Sequence, residues 1–336
     1  MSADFQSTYL FALANPGSEK ALKLEVETMQ LGWRLSYQRR GFVTFKADEA
    51  FGMDALNAPL ACARRLCLSL GKAGSREGAI ELIHRAGAEH GVDIPLIQQA
   101  RYFERRMEGI PGDPLPITGQ WVVTVVEVGE AEFWAGLHHH GPGHSAYPAG
   151  DSGLVMPAES PSRAWLKLEE AARFFGLDFT ADDIVVELGC APGGVVLALL
   201  NRGVSVIGVD PAKMAEVVMK AAIATRDVES VRKPWFYHCR KPAALVSKRD
   251  LGKDVTWFMS DMNQSPEVVL KECARFCRMA PSIRGVLITL KLTEITQVAE
   301  KSAWFETLRE MGFETIRLQQ LAVHHKEFAL LALRDV

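Results

Sequence analysis

The sequence predicts an α/β fold, with a Rossmann-like domain in the carboxyl-terminal half preceded by an α+β half. The first observation is an apolar run, Ile184 to Leu188, long enough for one buried strand of a parallel sheet. It leads into the glycine-rich turn GCAPGG and then into VVLALLNRG, an apolar helix that ends at Gly203. The second observation is the strand VSVIGVD, which ends in Asp210 about 20 residues beyond the first glycine. Ligands of such sheets bind above the carboxyl ends of the strands.

The spacing of the glycines excludes two common nucleotide-binding motifs. Gly189, Gly193 and Gly194 do not make G-x-G-x-x-G, and no G-K-[ST] follows, so neither a dinucleotide fingerprint nor a P-loop is present. Asp210 can accept hydrogen bonds from both hydroxyls of a ribose. The corner therefore predicts a nucleoside site, and the alternative is a tight turn that binds nothing.

Composition sets the broad class of the protein. The chain has 336 residues, so two or three domains are expected, and its 48% hydrophobic and 24% charged content is typical of a soluble globular protein. A net charge of −3 argues against holding nucleic acid by bulk charge. The six cysteines contain no CxxC pair, and no signal peptide or membrane-length run is visible. We therefore expect a cytoplasmic protein with reduced thiols and no membrane partner, and a monomer, because no long apolar stripe demands a partner.

The amino-terminal half is predicted to contain two segments before a linker. Strand, helix, hairpin, short helix and strand give residues 1–72 a ferredoxin-like β-α-β-β-α-β outline. The second segment covers 73–145, and the Gly/Pro-rich linker covers 146–160. The remaining residues, 161–336, form the Rossmann-like domain. The shorter elements expected in the amino-terminal half are helices over 49–57, 75–90 and 94–107 and two antiparallel strands, WVVTVVEVG and EFWAGLHH.

Two groups of polar residues in this half allow two readings each. Basic residues with aromatic neighbours could dock RNA, or they could be the solvated edge of a sheet; these are Arg34, Arg39, Arg40, Lys46, Arg64 and Arg65, with Trp33, Tyr37 and Phe42. The histidines at 138, 139, 140 and 144 suggest a metal site, but adjacent strand residues face opposite ways and no carboxylate or cysteine lies at ligand spacing. We expect no metal.

Four charged residues in the carboxyl-terminal half are candidates for catalysis. Lys167 lies on an apolar helix, Asp261 ends the strand VTWFMSD, Lys291 closes GVLITLKL, and Glu327 begins HKEFALLAL. A lysine that closes an apolar central strand is unusual, because burying its charge is costly without partners. We expect the four side chains to converge where the carboxyl ends of the parallel strands meet the start of an antiparallel last strand.

These residues resemble the K-D-K-E tetrad of the FtsJ-type RNA 2′-O-ribose methyltransferases, in order and on the expected elements. The segments PSRAWLKLEEA, ELGCAPGG, SDM, LKL and HKE are similar to those of the bacterial members that modify a cytidine ribose in 23S rRNA and carry a THUMP-bearing amino-terminal half. The resemblance implies a class I methyltransferase domain, S-adenosylmethionine as cofactor, 23S rRNA or a large-subunit precursor as partner, and a reduced THUMP-like segment over 73–145. It also implies a cofactor site formed by Glu187, Gly189, Cys190, Ala191, Pro192, Gly193, Gly194, Val195, Asp210 and Asp261.

The sequence departs from the family pattern at three places in the cofactor site. Val195 stands where the family has tryptophan, and Ala164 stands where a serine touches the cofactor. The third strand, WFYHCRKP, lacks the acidic residue that commonly meets the adenine amine. These departures favour one alternative function, a ribosome-associated protein that binds S-adenosylmethionine but has weak or no activity.

The chemistry of ribose methylation assigns a role to each member of the tetrad. A ribose 2′-hydroxyl is a poor nucleophile until its proton is removed or shared, and a neutral amine can take that proton. We assign Lys291 as the base, Asp261 as the residue that orients it, and Glu327 as the residue that fixes Lys167. No metal is required, since the leaving group is a neutral thioether. A methyltransferase for another RNA or a small molecule also fits, whereas the glycine spacing and the lysine-rich site disfavour a dehydrogenase.

Overall fold

The computed structural model describes residues 5–94, 96–141, 143–221, 234–252 and 254–334. The chain divides into two compact units, one comprising Met1–Gly153 and Gln319–His325 and the other Leu154–Leu318 and Lys326–Val336. The late segment 319–325 therefore belongs with the amino-terminal unit. Within the described ranges, no helix is long and apolar enough to cross a membrane.

The first unit is built on one eight-stranded sheet. Its elements are β1 (Ser7–Leu13), α1 (Glu19–Thr28), β2 (Arg34–Arg39), β3 (Phe42–Phe51), β4 (Arg65–Ala73), α2 (Arg76–His90), β5 (Leu96–Phe103), β6 (Arg106–Gly109), β7 (Trp121–Gly129) and β8 (Glu132–His139). The strand order is β2-β3-β1-β4-β8-β7-β5-β6. Strands from 1–72 and from 73–145 share this sheet, and the sequence boundary at residue 72 falls inside β4.

The segment 319–325 is held in the first unit by buried side-chain amides. Nδ2 of Asn15 donates to the carbonyls of Leu321 and His324, each at 2.8 Å. Nε2 of Gln319 donates to the carbonyl of Ala63 at 2.9 Å. These contacts fix the backbone of 319–325 within the first unit.

The helix predicted over 94–107 is wrong. This stretch forms the hairpin of β5 and β6, which turns at Glu104 and Arg105, both with positive φ. In β5 buried and partly exposed residues alternate from Leu96 to Ala100, which is the period of a half-buried strand. The hairpin also pairs in parallel with β7. Pairing with a strand distant in sequence therefore decides this segment, and the helical preference of its side chains does not.

The helix predicted over 49–57 is shorter than expected. β3 continues to Phe51, which lies opposite Ser7 of β1, and only Met53–Asn57 forms a 3-10 helix. The cross-strand pairing extends β3 at the expense of the helix.

The second unit is built on a seven-stranded sheet with helices between its strands. Its elements are α3 (Ala164–Phe175), β9 (Ile184–Leu188), α4 (Gly194–Asn201), β10 (Ser205–Val209), α5 (Glu216–Ala221), β11 (Phe236–Cys239), α6 (Lys248–Leu251), β12 (Trp257–Ser260), α7 (Pro266–Met279), β13 (Gly285–Lys291), α8 (Lys301–Glu310), β14 (Thr315–Gln319) and β15 (Glu327–Leu333). The strand order is β11-β10-β9-β12-β13-β15-β14.

The direction of the strands places the candidate site. Strands β11, β10, β9, β12 and β13 pair in parallel, so their carboxyl ends meet at one edge of the sheet. Strand β15 is antiparallel to β13, so it begins at that same edge. Residues that end the parallel strands and the residue that starts β15 therefore lie together. This is the Rossmann-like architecture that the sequence predicts.

Candidate active site

A glycine corner joins β9 to α4 and requires glycine at two positions. Gly189 and Gly193 have φ of 77° and 113°, a region that side chains other than glycine rarely adopt. A Cβ on Gly193 would lie 2.6 Å from a methyl of Val218, and one on Gly189 would lie 3.0 Å from the backbone nitrogen of Met262. The corner therefore lets neighbouring segments approach the backbone closely. Ala191 and Pro192 complete the turn.

The start of α4 packs against the segment that leads into α3. A Cβ on Gly194 would collide with the Ser162 hydroxyl and lie 2.9 Å from the Trp165 backbone nitrogen. The Ser162 hydroxyl is buried and has no hydrogen-bond partner among the described residues. Our sequence reasoning weighed Ala164 and missed Ser162. The available signal was its place five residues before Lys167, at the start of the helix that carries the tetrad's first lysine.

Asp210 lies immediately after β10, beside the glycine corner. Its Oδ2 accepts a hydrogen bond from the Ala191 backbone at 3.2 Å, and its Oδ1 accepts one from the Ala212 backbone at 2.8 Å. These bonds hold the carboxylate in one orientation. The side chain is half-buried, and the remaining lone pairs of both oxygens can accept hydroxyl groups.

Glu187 and Cys190 supply two buried groups below this corner. Glu187 is 2% exposed, and its Oε2 has no partner among the described residues. Burial raises the pKa of Glu187 well above its usual range, and the carboxylates of Asp261 and Asp210 raise it further. Burial likewise raises the pKa of the Cys190 thiol, so it stays protonated, with its sulfur 3.7 Å from Sδ of Met214. Val195 is buried at the start of α4.

The third strand contributes a histidine that our sequence reasoning also missed. Nε2 of His238 in β11 lies 2.9 Å from the backbone oxygen of Asp210. Its ring stacks against that of Phe236, with centroids 6.1 Å apart. His238 thus stands beside the ribose-binding candidate at the strand where the family pattern has an acid. The sequence signal was its place at the end of this strand.

The structure brings all four tetrad residues together. Nζ of Lys167 lies 3.0 Å from Oδ1 of Asp261 and 2.8 Å from Oε1 of Glu327. Nζ of Lys291 lies 3.2 Å from that same Oδ1 and donates to the Asp261 backbone oxygen at 2.6 Å. One carboxylate oxygen thus contacts both amines. All four side chains are largely shielded, with 15–22% of their surface exposed.

The backbone connects the tetrad directly to the glycine corner. The Asp261 amide donates to the Leu188 carbonyl at 3.1 Å, where β9 ends. The Gly189 amide donates to the Val209 carbonyl at 3.0 Å, where β10 ends. The residues that follow β9, β10 and β12 are therefore held in one hydrogen-bonded row, and a ligand above the corner would lie beside Asp261.

The charges of the tetrad distinguish its two lysines. Burial by itself lowers the pKa of Lys167, but the carboxylates of Asp261 and Glu327 outweigh it and raise that pKa. Lys167 is therefore a permanent cation between two carboxylates. Lys291 contacts one carboxylate, which it shares with Lys167.

The histidines of β8 and of the loop after it lie near the buried guanidinium of Arg65. His138 is fully buried, and its Nε2 lies 2.6 Å from the Arg65 guanidinium. In the part of the chain that the structure describes, no group of three or more His, Cys, Asp or Glu residues is placed to hold a metal ion.

Comparison with known proteins places this second unit in a family. Residues 161–316 match the model of the FtsJ-like methyltransferase family. The chain is 30% identical over 174 residues to "Ribosomal RNA large subunit methyltransferase M" of Aeromonas hydrophila, covering 50% of this chain and 44% of the relative. It is 42% identical over 185 residues to the protein of that name in Pseudomonas fluorescens, covering 51% and 45%. The matched part thus spans less than half of each of these relatives.

A solved structure shows a distant likeness over the whole chain. The crystal structure of TrmN from Thermus thermophilus matches 98% of this chain and 100% of its own, with 16% identity and a TM-score of 0.34.

Proposed function

Because residues 161–316 form an FtsJ-like methyltransferase domain, we propose that the chain transfers a methyl group from S-adenosylmethionine to the 2′-hydroxyl of an RNA ribose, and that its substrate is 23S rRNA of the large subunit or a precursor. The observation that carries the proposal is the shared Oδ1 of Asp261, which holds Lys167 and Lys291 beside the glycine corner. The printed name of the relatives supports ribosomal RNA as the substrate class.

The residues around the glycine corner fit S-adenosylmethionine. Glu187, Asp210 and Asp261 place three acidic groups near one another, which raises the pKa of Glu187. A ligand that carries an ammonium and a sulfonium cation would relieve this repulsion and give the buried Oε2 of Glu187 a partner. Ser162 offers a buried hydroxyl to the carboxylate that shares a carbon with that ammonium, and Asp210 offers its oxygens to the ribose hydroxyls.

The corner itself would form the floor of this site. The residues assigned to it are Gly189, Cys190, Ala191, Pro192, Gly193, Gly194 and Val195. Glycine at both positive-φ positions keeps the turn tight, because Val218 and Met262 pack where a Cβ would project. When bound, the cofactor supplies an electrophilic methyl group on sulfur.

The tetrad performs the proton chemistry. Lys291 would accept the proton of the 2′-hydroxyl at Nζ, and the ribose oxygen would receive the methyl group that the bound cofactor supplies. Asp261 orients Lys291 through both its carboxylate and its backbone oxygen. Glu327 fixes the cationic Lys167, which keeps the Asp261 carboxylate oxygen in place. Alignment of the hydroxyl with the methyl group supplies much of the rate.

One alternative has specific support in the residues. Val195 replaces the family's tryptophan, Ala164 replaces a serine, and β11 offers His238 where an acid is common. These changes favour a ribosome-associated protein that binds S-adenosylmethionine and RNA with weak or no turnover. The contacts of the tetrad favour the enzyme over this alternative, because Asp261 holds Lys291 through both its Oδ1 and its backbone oxygen.

The test is to map 2′-O-methyl groups in rRNA from cells that lack this protein. The proposal expects the loss of methylation at one ribose, restored by the wild-type chain and not by Lys291→Ala. Calorimetry with S-adenosylmethionine separates the two functions: binding with no missing methyl group supports the alternative, and no binding overturns both.

A further inference from the structure

One face of the sheet in the first unit carries a cluster of aromatic and basic side chains that the methyl-transfer site does not use. The rings of Tyr37 in β2 and Trp134 in β8 stack with centroids 5.6 Å apart. The guanidinium of Arg39 lies 4.9 Å from the Tyr37 centroid. Nζ of Lys72 lies 5.4 Å and 5.9 Å from the centroids of Tyr37 and Trp134. Both rings are half-buried, and both cations are about half exposed.

This cluster differs from the basic set that the sequence singles out. Arg64 and Arg65 are 5% and 1% exposed, and Phe42 is fully buried, so none of them can touch a partner. Trp134, which is far from that set in sequence, and Lys72, which lies on the same strand as Arg65, take their places. They join it because β4 and β8 pair with Lys72 opposite Trp134.

A buried carboxylate fixes the cluster from below. Glu132 lies 3.2 Å from Lys72 and 3.4 Å from Arg39, and it accepts the hydroxyl hydrogen bond of Tyr37. Its side chain is only 10% exposed, so the acid is withdrawn while the two cations face solvent. Burial, followed by the Glu132 hydrogen bond and charge, raises the pKa of Tyr37 to about 12, so this phenol stays neutral.

A second cation and ring lie on the same face. Tyr9 of β1 is directly opposite Lys46 of β3, and Nζ of Lys46 lies 5.3 Å from the Tyr9 centroid. Tyr9 is 37% exposed. Since β1 and β2 flank β3, the two ring sites are separated by about 10 Å. The face thus presents Arg39, Lys72 and Lys46 beside three rings. The carboxylate among them, Glu132, is shielded, and the exposed Asp48 is paired with Arg34.

We propose that Tyr37, Trp134, Arg39 and Lys72, the stacking platform, bind unpaired nucleotides of the RNA substrate. Bases stack on aromatic faces and on guanidinium planes, while lysine and arginine neutralise the phosphates. The net positive charge of the platform complements a polyanion. In a helical duplex the bases are stacked inside the helix, so they cannot stack on the side chains of the platform. This inference rests on the proposed function, since it names how the RNA substrate of that reaction is held.

The test is fluorescence anisotropy of the full chain with two labelled RNAs, a single-stranded oligouridylate of about 12 nucleotides and a duplex of the same length, without cofactor. Trp134→Leu removes a stacking ring, and the double variant Arg39→Gln, Lys72→Gln removes both exposed charges while its amides can still donate hydrogen bonds to the shielded Glu132. The matched control is the double variant Arg101→Ala, Phe103→Leu. It removes another exposed cation–ring pair, 4.5 Å apart in β5, on the opposite face from Tyr102.

The two variants should weaken single-strand binding in different ways. We expect Trp134→Leu to weaken it about tenfold with the same salt dependence, because it removes stacking only. We expect the charge variant to lower the slope of log K against log salt by about 1.4, as the loss of two phosphate contacts requires. The control should bind like the wild type.

Two results would overturn the inference. One is wild-type single-strand affinity in both platform variants, which would leave the face to a protein partner or to solvent. The other is equal loss of duplex and single-strand binding, which would make it a surface of charge alone. Both readouts are independent of methyl transfer. Platform binding without any missing rRNA methyl group would contradict the proposed function only.

Discussion

Lys291 and Glu327 lie directly opposite each other in the antiparallel pair of β13 and β15. Lys291 is the last residue of β13, and Glu327 is the first residue of β15, its neighbour in the sheet. The acid nevertheless contacts Lys167, at 2.8 Å, while Lys291 turns to Asp261. Lys291 and Glu327 therefore do not pair with each other. Lys167 lies between two carboxylates, those of Glu327 and Asp261, and Lys291 shares the Asp261 carboxylate with it.

Lys291→Ala should abolish methyl transfer without loss of the fold. Removal of a general base lowers kcat by about 100-fold or more, whereas S-adenosylmethionine affinity should stay within about twofold. Lys291→Arg should be equally inactive, because a guanidinium stays protonated. The measurements are single-turnover transfer of labelled methyl groups and calorimetry. Lys326→Ala, which removes an exposed lysine bonded to the Thr293 carbonyl, is the control and should stay active. Normal turnover in Lys291→Ala would refute the role of the base.

Glu327→Gln should lower kcat about tenfold and leave cofactor affinity unchanged. The amide still accepts the Lys167 hydrogen bond but carries no charge, so the raised pKa of Lys167 should fall. Lys167 should then draw the Asp261 carboxylate more strongly away from Lys291. The measurement is kcat as a function of pH. Glu306→Gln, on an exposed side chain of α8, controls for the loss of one negative charge. A wild-type profile in Glu327→Gln would mean that Glu327 does not act through Lys167.

Asp210→Asn should weaken the binding of S-adenosylmethionine about 10- to 100-fold. A hydrogen bond to a charged group contributes about 1.5–3 kcal/mol, and the ribose hydroxyls would lose the charge of their acceptor. The asparagine oxygen can still accept one of the two backbone hydrogen bonds, so the turn should be kept. Calorimetry with the product S-adenosylhomocysteine measures the change. Asp182→Asn, exposed just before β9, should bind normally, and an equal loss in both variants would exclude a ribose contact.

The first unit should lose stability as the pH falls below about 6.5. Burial, followed by the charge of Arg65, lowers the pKa of His144 to about 4 and that of His138 well below its usual value. In the unfolded chain these histidines take up protons below about pH 6.5, so the unfolded state binds more protons and is stabilised relative to the folded state as acid is added. The loss through His144 therefore runs from about pH 6.5 to about 4, and that through His138 continues below.

Urea unfolding at pH 7.5 and at pH 5 measures this loss. His138 is bonded to a buried arginine that also donates to Gln98 at 2.9 Å, so His138→Gln should keep a neutral acceptor and flatten the pH dependence. His84→Gln is the control, since that histidine is exposed on α2. A pH dependence that is the same in His138→Gln and the wild type would contradict the assignment.

The segments with a strong local signal were predictable. The run from Ile184 to Leu188, the glycines at positive φ and the acid after β10 are encoded within a few residues of one another, so the corner follows from pattern alone. The strands within 94–107 were not predictable, because β5 pairs with β7, Leu96 lying opposite Val122, and that partner is outside the stretch. Ser162 was missed for the same reason, because its hydroxyl packs against Gly194, which lies on another element.

By itself, the sequence determined the Rossmann-like order of elements and the positions of Lys167, Asp261, Lys291 and Glu327 along the chain, because hydrophobic period and turn chemistry are local. Only the tertiary structure decided that one oxygen of Asp261 contacts both amines, and that Lys72 and Trp134 meet Tyr37 while Arg65 is buried. These pairings join residues far apart in the chain. Strand register and strand direction set these pairings, and neither can be read from a single stretch of sequence.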